Sequence, residues 1–362
     1  MVNFTLKLKK AILTAAAVTI AVAVLLFSNE IRQGVIRGLS LSAQSVIPSL
    51  FIFTAMSLFI IKSGAGQVLG RLICPVTRPL LDLNADQSSV FLISMVAGYP
   101  VGAKLLNSLY LDGKISRNKA LKMLNVTINA GPAFIIVTVG EVFLKNRSDG
   151  YRLLICHLLA TLILAIAVRF LPDRLFSQDS KTKKQTLSKN QESALSDIFV
   201  LSVLEAGKTM LNVTIFVVFF AGLTGGFLAF DFTNANQLTS LFEVTTGLSN
   251  STRSQLPFAS FLLGFGGISV IFQVISSAEN LRPKFAVLLL SRLLHGGLSY
   301  VLAVILEIFF PRDLMTGSFN IQPDTATVHT SPFATLSLLL LLIVMLFFLG
   351  NTKNNRDTIN PR

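Results

Sequence analysis

Three short clusters in this chain of 362 residues combine residue types that could hold a small ligand inside an apolar protein. The first is Gly98-Tyr99-Pro100-Val101-Gly102-Ala103-Lys104, in the middle of the apolar stretch 88–110. Proline removes a backbone donor and disfavours helix at the residue before it, while glycine lets the backbone bend and approach a ligand closely. The second is Asn125 and Thr127 followed by Asn129-Ala130-Gly131-Pro132, where the proline frees carbonyls about one turn back. The third is Gly264-Phe265-Gly266-Gly267 within the apolar stretch 256–278, followed by Ser269, Gln273 and Ser276, with His295 further on. Broken helices present N-terminal N–H groups that favour anions. Lys104 would add charge, and Tyr99, Asn125, Asn129, Ser269, Gln273 and His295 would add directional hydrogen bonds. This is the chemistry of non-covalent recognition.

Each cluster also has a plainer explanation. Either apolar stretch could be an ordinary spanning helix with a glycine kink. Lys104 could snorkel to the nearby surface, and its counterpart in the second half is Val270. The amides and hydroxyls could be polar glue between helices, worth about 0.6 kcal/mol each. What favours a ligand site is the cost of the alternative: a backbone break facing lipid strands polar groups at several kcal/mol each, so it belongs in a protein interior or beside a cavity. Glu141 and Glu307 are candidates for proton or cation coupling, though capping or interfacial exposure explains them as well. His157 reads as a hydrogen-bonded packing residue, and the role of Glu243 is open. Cys74 and Cys156 have no metal-ligand spacing, and no metal or cofactor site is expected. Ala206-Gly207-Lys208-Thr209 imitates the end of a P-loop but lacks its first glycine, and no HExxH or GxSxG occurs. An enzyme is therefore not expected.

The elements that must position these clusters are membrane helices. Hydrophobic residues make up 52% of the chain and charged ones 14%, against roughly a quarter charged in soluble domains; mean hydropathy is +0.67. The net charge of +13 sits in short loops and one linker, which suits orientation and contact with anionic lipid better than nucleic-acid binding.

A constant offset of 166 residues carries Gly98 onto Gly264, Asn129 onto His295, Glu141 onto Glu307 and Asn84 onto Asn250. Such ungapped correspondence indicates an internal duplication, and paired broken segments in two halves point to a transporter site. The expected fold is an all-α polytopic membrane protein of two inverted repeats, each with a broken re-entrant helical hairpin plus spanning helices. Residues 1–40 are read as an N-terminal signal-anchor helix with an apolar run at 11–27. Residues 41–171 form repeat 1, with its hairpin near 88–110 and spans at 41–61, 121–144 and 151–171. Residues 172–197 are a cytoplasmic linker. Residues 198–350 form repeat 2, with its hairpin near 256–278 and spans at 209–230, 285–310 and 333–349. Residues 351–362 are a polar tail. Pro75 and Pro79 argue against a long regular helix at 62–86. A rival topology lets the second broken stretch cross fully, which would put Arg282 and Lys284 inside; the inverted arrangement is preferred because the duplication has more landmarks.

Gly98 to Leu105, Gly113 to Ser116, Asn129 to Phe134 and Gly264 to Ser269 together resemble the YlbJ family of sporulation integral membrane proteins, within the wider nucleoside-recognition, or Gate, domain group. The resemblance covers nearly the whole chain. It implies a multi-pass protein of a bacterial membrane, in particular the outer forespore membrane, with the lipid bilayer and a small anion as partners. The family is associated with endospore formation and with moving dipicolinate, a planar dianion, toward the forespore. The expected function is alternating-access transport of that anion. The binding residues proposed are Gly98, Tyr99, Pro100, Gly102, Lys104, Asn125, Asn129, Gly264, Gly266, Gly267, Ser269, Gln273 and His295, all from the physical reading. A nucleoside transporter or sensor and a non-transporting sporulation scaffold are the alternatives, and a homo-oligomer is left open.

Overall fold

The structure is a computed structural model. It describes residues 24–172, 175–176, 194–228 and 235–311, with scattered positions between 11 and 22. The expected span at 333–349 and the tail at 351–362 lie outside the described residues, as do most of the linker 172–197 and of the loop 311–332, and residues 12, 13, 16, 17, 20 and 23 of the run at 11–27. Every regular element among the described residues is helical, and five described helices are long and apolar enough to cross a membrane.

Helix α1 runs unbroken over Ser28–Lys62, 35 residues, or roughly 50 Å at 1.5 Å per residue. The expected boundary at 40/41 does not exist, because nothing between Ser28 and Leu41 breaks a helix. Pro48 is accommodated by a π turn at Ser42–Val46 just before it, which absorbs the missing donor. Helix α2, Ala65–Leu81, holds both Pro75 and Pro79, against the expectation that they forbid a long helix. Both prolines lie on its exposed face, and Arg169 donates to the Pro79 carbonyl in the last turn of the helix.

Helices α3 (Ala85–Ala97) and α4 (Tyr99–Leu111) meet at Gly98, whose φ of 94° and ψ of 172° suit glycine. The chain folds back there. A Cβ on Gly102 would lie 2.9 Å from the Ser94 side chain, eight residues earlier; in a straight helix those positions stand about 12 Å apart. Each arm has 13 residues, about 20 Å and short of a 30 Å hydrocarbon core. Next come α5 (Arg117–Leu124), an unwound stretch at 125–131, the π-helical α6 (Phe134–Phe143) and α7 (Arg147–Arg169). Helix α7 returns antiparallel to the preceding crossing: Lys122 donates to the Arg169 carbonyl at one end, and Gly150 packs on Gly140 at the other. The bundle thus has a linker end, near residues 172 and 194, and a far end.

Helix α8, Leu195–Leu228, packs antiparallel along α1. Gly34 faces the Ala221 carbonyl, Gly38 faces Val218, and Gly225 faces the Glu30 carbonyl. The small-residue spacing at Gly222 and Gly226 serves this close approach. The span expected at 209–230 therefore begins at Leu195, and the stretch 198–208 is part of it. Short helices α9 (Ala235–Ser240) and α10 (Val244–Ser249) follow, then α11 (Leu256–Phe265), α12 (Gly267–Ser277) and α13 (Phe285–Phe309). The offset of 166 carries α1 onto 194–228 and α4 onto 265–277, so element boundaries recur in register.

The second broken stretch departs from expectation: it does not fold back. At the far end Arg253 pairs with Asp149 at 2.9 Å. Midway, Ser260 meets Ser299 and Gly264 packs on Gly296. At the linker end Asn280 N–H donates to Asn107 Oδ1, and Arg117 donates to the Leu281 carbonyl. Residues 253–277 thus descend as one kinked crossing. Gly266 is left-handed (φ 78°, ψ −12°), and the N–H groups of Ile268 and Ser269 donate to the carbonyls of Leu241 and Phe242 at 3.0 and 2.9 Å. Those bonds cap the start of α12 and hold it pointing onward. The rival topology describes this half of the bundle better. Helix α13 consequently runs back toward the far end, and Glu141 and Glu307, which two fully inverted repeats would place near opposite faces, share that end. The counterpart of Pro132 is Leu298, which keeps its N–H, so α13 is continuous where α5 and α6 are parted.

Cysteines introduced at Lys114 and Glu279, in a chain lacking Cys74 and Cys156, are expected to react with an impermeant maleimide from one side of the membrane, and one at Thr252 from the other. Reactivity of Glu279→Cys and Thr252→Cys from a common side would refute the crossing. Gly34→Val should lower unfolding stability by about 1–3 kcal/mol through overpacking against α8, measured by thermal denaturation in detergent.

Candidate functional site

The hairpin tip, the unwound stretch and the second break come together in the middle of the bundle. Gly131 lies against the Val96 carbonyl and the Gly98 nitrogen, and Gly102 against the Thr127 carbonyl. Tyr99 crosses to the second half: its hydroxyl donates to the Leu263 carbonyl at 2.8 Å, and its ring edge touches the position a Cβ on Gly266 would take. A cavity of about 20 Å³ lies among Gly98, Tyr99, Pro100, Gly131, Glu243 and Gln273, closed further by apolar side chains of α1, α8 and α12. That volume holds about one water molecule. The described state is a closed one, with the backbone breaks packed on one another.

Glu243 is fully buried. Its two carboxylate oxygens accept the N–H groups of Thr245 and Thr246, so it is the N-cap of α10 as well as a cavity wall. The Gln273 amide donates to Ser269 Oγ at 3.1 Å. The N-terminus of α12 is not open to an anion, since Leu241 and Phe242 already occupy its N–H groups.

Behind the cavity runs a buried chain of hydrogen bonds that ties four elements together. Arg292 on α13 is fully buried; one Nη donates to the Ile128 carbonyl and the other to the Asn125 carbonyl. Ile128 stands four residues before Pro132, so its carbonyl is the one that proline deprives of a helical donor. Arg292 also reaches His295 Nδ1 at 3.0 Å. Guanidinium can only donate, so Nδ1 accepts and the imidazole proton resides on Nε2. Nε2 faces Thr161 Oγ1 at 3.2 Å, and Thr161 donates to Asn129 Oδ1 at 2.8 Å. The Asn129 amide donates to the Val126 carbonyl at 3.2 Å and lies 3.5 Å from Ser94 Oγ, which donates to the Phe91 carbonyl in the hairpin. His157 Nε2 accepts the Ala130 N–H at 3.1 Å.

Over 310 residues the chain is 27% identical to the sporulation integral membrane protein YlbJ of Bacillus subtilis (strain 168), spanning 74% of this chain and 76% of that one. The similarity supports a YlbJ-type family assignment. No family model matches the chain, and no solved structure does. With its apolar crossing helices and an integral membrane relative, this chain is a multi-pass membrane protein.

Of the residues expected to bind, Gly98, Tyr99, Pro100 and Gln273 line the cavity. Asn129 and His295 belong to the buried chain behind it, and the Asn125 amide donates to its own helix at Leu121. Gly102, Gly264 and Gly267 are packing positions pressed against neighbouring backbone, and Gly266 packs on Val270. Ser269 serves Gln273. Lys104 turns away to α8, where it donates to Thr209 Oγ1 and the Glu205 carbonyl and lies 3.5 Å from the Glu205 carboxylate. Snorkelling toward the linker end describes it. A wider, open cleft of about 660 Å³ lies at that end, at the foot of the hairpin, among Arg78, Asp82, Asn84, Lys114 and Lys119. There Lys119 beside Asp82 holds its carboxyl below the usual range.

Arg292 escaped the sequence reading, although a signal was there. It is a charge inside the apolar run 285–309, three residues before His295 and so on the same helical face.

Tyr99→Phe should remove one hydrogen bond between the halves and lower stability by about 1 kcal/mol. Thr161→Val should cost more, about 1–3 kcal/mol, because it leaves Asn129 Oδ1 buried without a donor. Thermal unfolding of the purified variants gives both numbers, and the order should be Thr161→Val below Tyr99→Phe.

Proposed function

We propose that this chain is a membrane carrier for a small organic anion, pyridine-2,6-dicarboxylate (dipicolinate), acting in endospore formation in the outer forespore membrane. The observation that carries the reading is the convergence of two backbone breaks, at Gly98 and 125–131, on one cavity midway along the bundle, with the third, at Gly266, packed against the cavity-lining Tyr99 and Val270. Irregular backbone at membrane depth marks the binding centre of transporters. Sporulation enters through the name of the Bacillus subtilis relative, and dipicolinate through the family resemblance.

Orientation follows from charge. Lys114, Arg117, Lys119, Lys122, Arg282 and Lys284 cluster toward the linker end, which by the positive-inside rule faces the cytoplasm. In this reading the α3–α4 hairpin is re-entrant from that side. The antiparallel packing of α1 and α8, which correspond at the offset of 166, supports inversion of the opening part of each repeat, and the direction of α12 ends the inversion there. A one-water cavity admits no dianion, so transport requires the hairpin tip and the second break to part. Nothing in the sequence supplies a nucleotide site, and movement would follow a gradient.

Purified protein in liposomes should take up labelled pyridine-2,6-dicarboxylate, with unlabelled dianion competing and uridine not. Gly131→Val, which drives a side chain between the hairpin tip and the unwound stretch, should cut uptake at least tenfold. Uptake no faster than in protein-free liposomes would sink the carrier reading, and competition by uridine would redirect it to nucleosides.

A further inference from the structure

Arg292 is a buried cation with no carboxylate partner among the described residues. Its counter-charges are two backbone carbonyls, Asn125 and Ile128, on the stretch that also supplies Gly131 to the cavity wall. Its Nε has no hydrogen-bond partner, and three buried neighbours in the same network are also unsatisfied: Asn125 Oδ1, Thr127 Oγ1 and His157 Nδ1. Carbonyl dipoles hold only partial negative charge, so they offset an ion much less completely than a carboxylate does. An arginine kept there without an acid suits a partner that arrives from outside the chain.

We propose that Arg292 is the residue that selects an anionic substrate, receiving a carboxylate in place of the Asn125 and Ile128 carbonyls when the carrier opens. Guanidinium meets a carboxylate through two parallel N–H donors, a geometry a lysine ammonium does not reproduce. The Arg292–His295–Thr161–Asn129–Ser94 chain then has a second use. Because it runs from the arginine to the hairpin, a change of partner at Arg292 is passed to the element that must move. The cavity lining contributes no cation of its own, Lys104 is held by Glu205, and the start of α12 is capped by carbonyls. Arg292 stands one layer behind the cavity wall, on the Asn125 and Ile128 carbonyls of the stretch that supplies Gly131. This assignment rests on the carrier reading for its substrate, but binding and flux test the two separately.

The test uses the full chain in lipid nanodiscs and reads the thermal-unfolding shift with pyridine-2,6-dicarboxylate and with its neutral analogue pyridine-2,6-dicarboxamide. The wild type should be stabilised by the dianion and not by the diamide. Arg292→Lys keeps the charge without the paired donors and should need at least tenfold more dianion for the same shift. Arg292→Gln, where it folds, should lose the preference for dianion over diamide. If Arg292→Lys binds the dianion as tightly as the wild type, if Arg292→Gln keeps the preference, or if the wild type responds to neither compound, the assignment is overturned. Dianion binding that depends on Arg292 in a protein without liposome flux would uphold it while removing the carrier reading.

Discussion

The structure depends on one constraint: a backbone carbonyl freed inside an apolar bundle must find a donor. Pro132 cannot supply one to Ile128, and residues 125–131 are all buried in the bundle. The donor comes from 164 residues away, as the guanidinium of Arg292. This single exchange explains why α5 and α6 can be parted at all, why α13 is drawn against them, and why His295 and Thr161 are fixed in position. The cost of a broken crossing is met by burying a cation, and the cation is made tolerable by the break. Neither feature would be stable alone.

The hairpin at Gly98 and the crossing at Gly266 show how similar sequence can yield different paths. Both breaks use positive-φ glycine, but the dihedrals differ: ψ is 172° at Gly98 and −12° at Gly266. Pro100 starts α4 and has no N–H to offer a neighbour. Ile268 and Ser269 have theirs, and give them to the loop before α10. One break is therefore free to turn back, while the other is pinned to a third element and continues. The halves share element boundaries along most of their length and still differ in the direction of α12 and α13.

Much of this was legible before any coordinates. Glycine and proline spacing located both breaks and the unwound stretch, because backbone chemistry is local. The offset of 166 paired the spans at 41–61 and 209–230, which the structure extends to Ser28–Lys62 and Leu195–Leu228. Direction was not legible, since it depends on which distant carbonyl caps α12. The late charges Arg282 and Lys284 carried that information, and the duplication was given more weight. Candidate side chains were legible as a set and misplaced individually. Tyr99 and Gln273 reach the cavity, whereas Lys104 was assigned by its nearness to the break when its side chain length lets it find Glu205. The role of Arg292 was not legible, because the carbonyls it satisfies lie 164 and 167 residues away in sequence.

That asymmetry bears on how a ligand site could work here. A symmetrical pair of hairpins would offer two equal sets of N–H groups, and an anion would have no reason to prefer one. In this chain the second set is capped, the first sits at the tip of a folded-back arm, and the buried positive charge belongs to one helix of the second half. The elements divide accordingly. Helices α11 to α13, crossing fully and laced by Ser260–Ser299 and Gly264–Gly296 packing, make a fixed wall that holds the cation. The hairpin meets that half through Tyr99, through Asn107 at the Asn280 N–H, through packing of α4 on α12 and through the far end of one hydrogen-bond chain, and its two short arms are joined at a single glycine. In the proposed carrier cycle the arm hinged at a single glycine is the part that would move, with α13 as the frame.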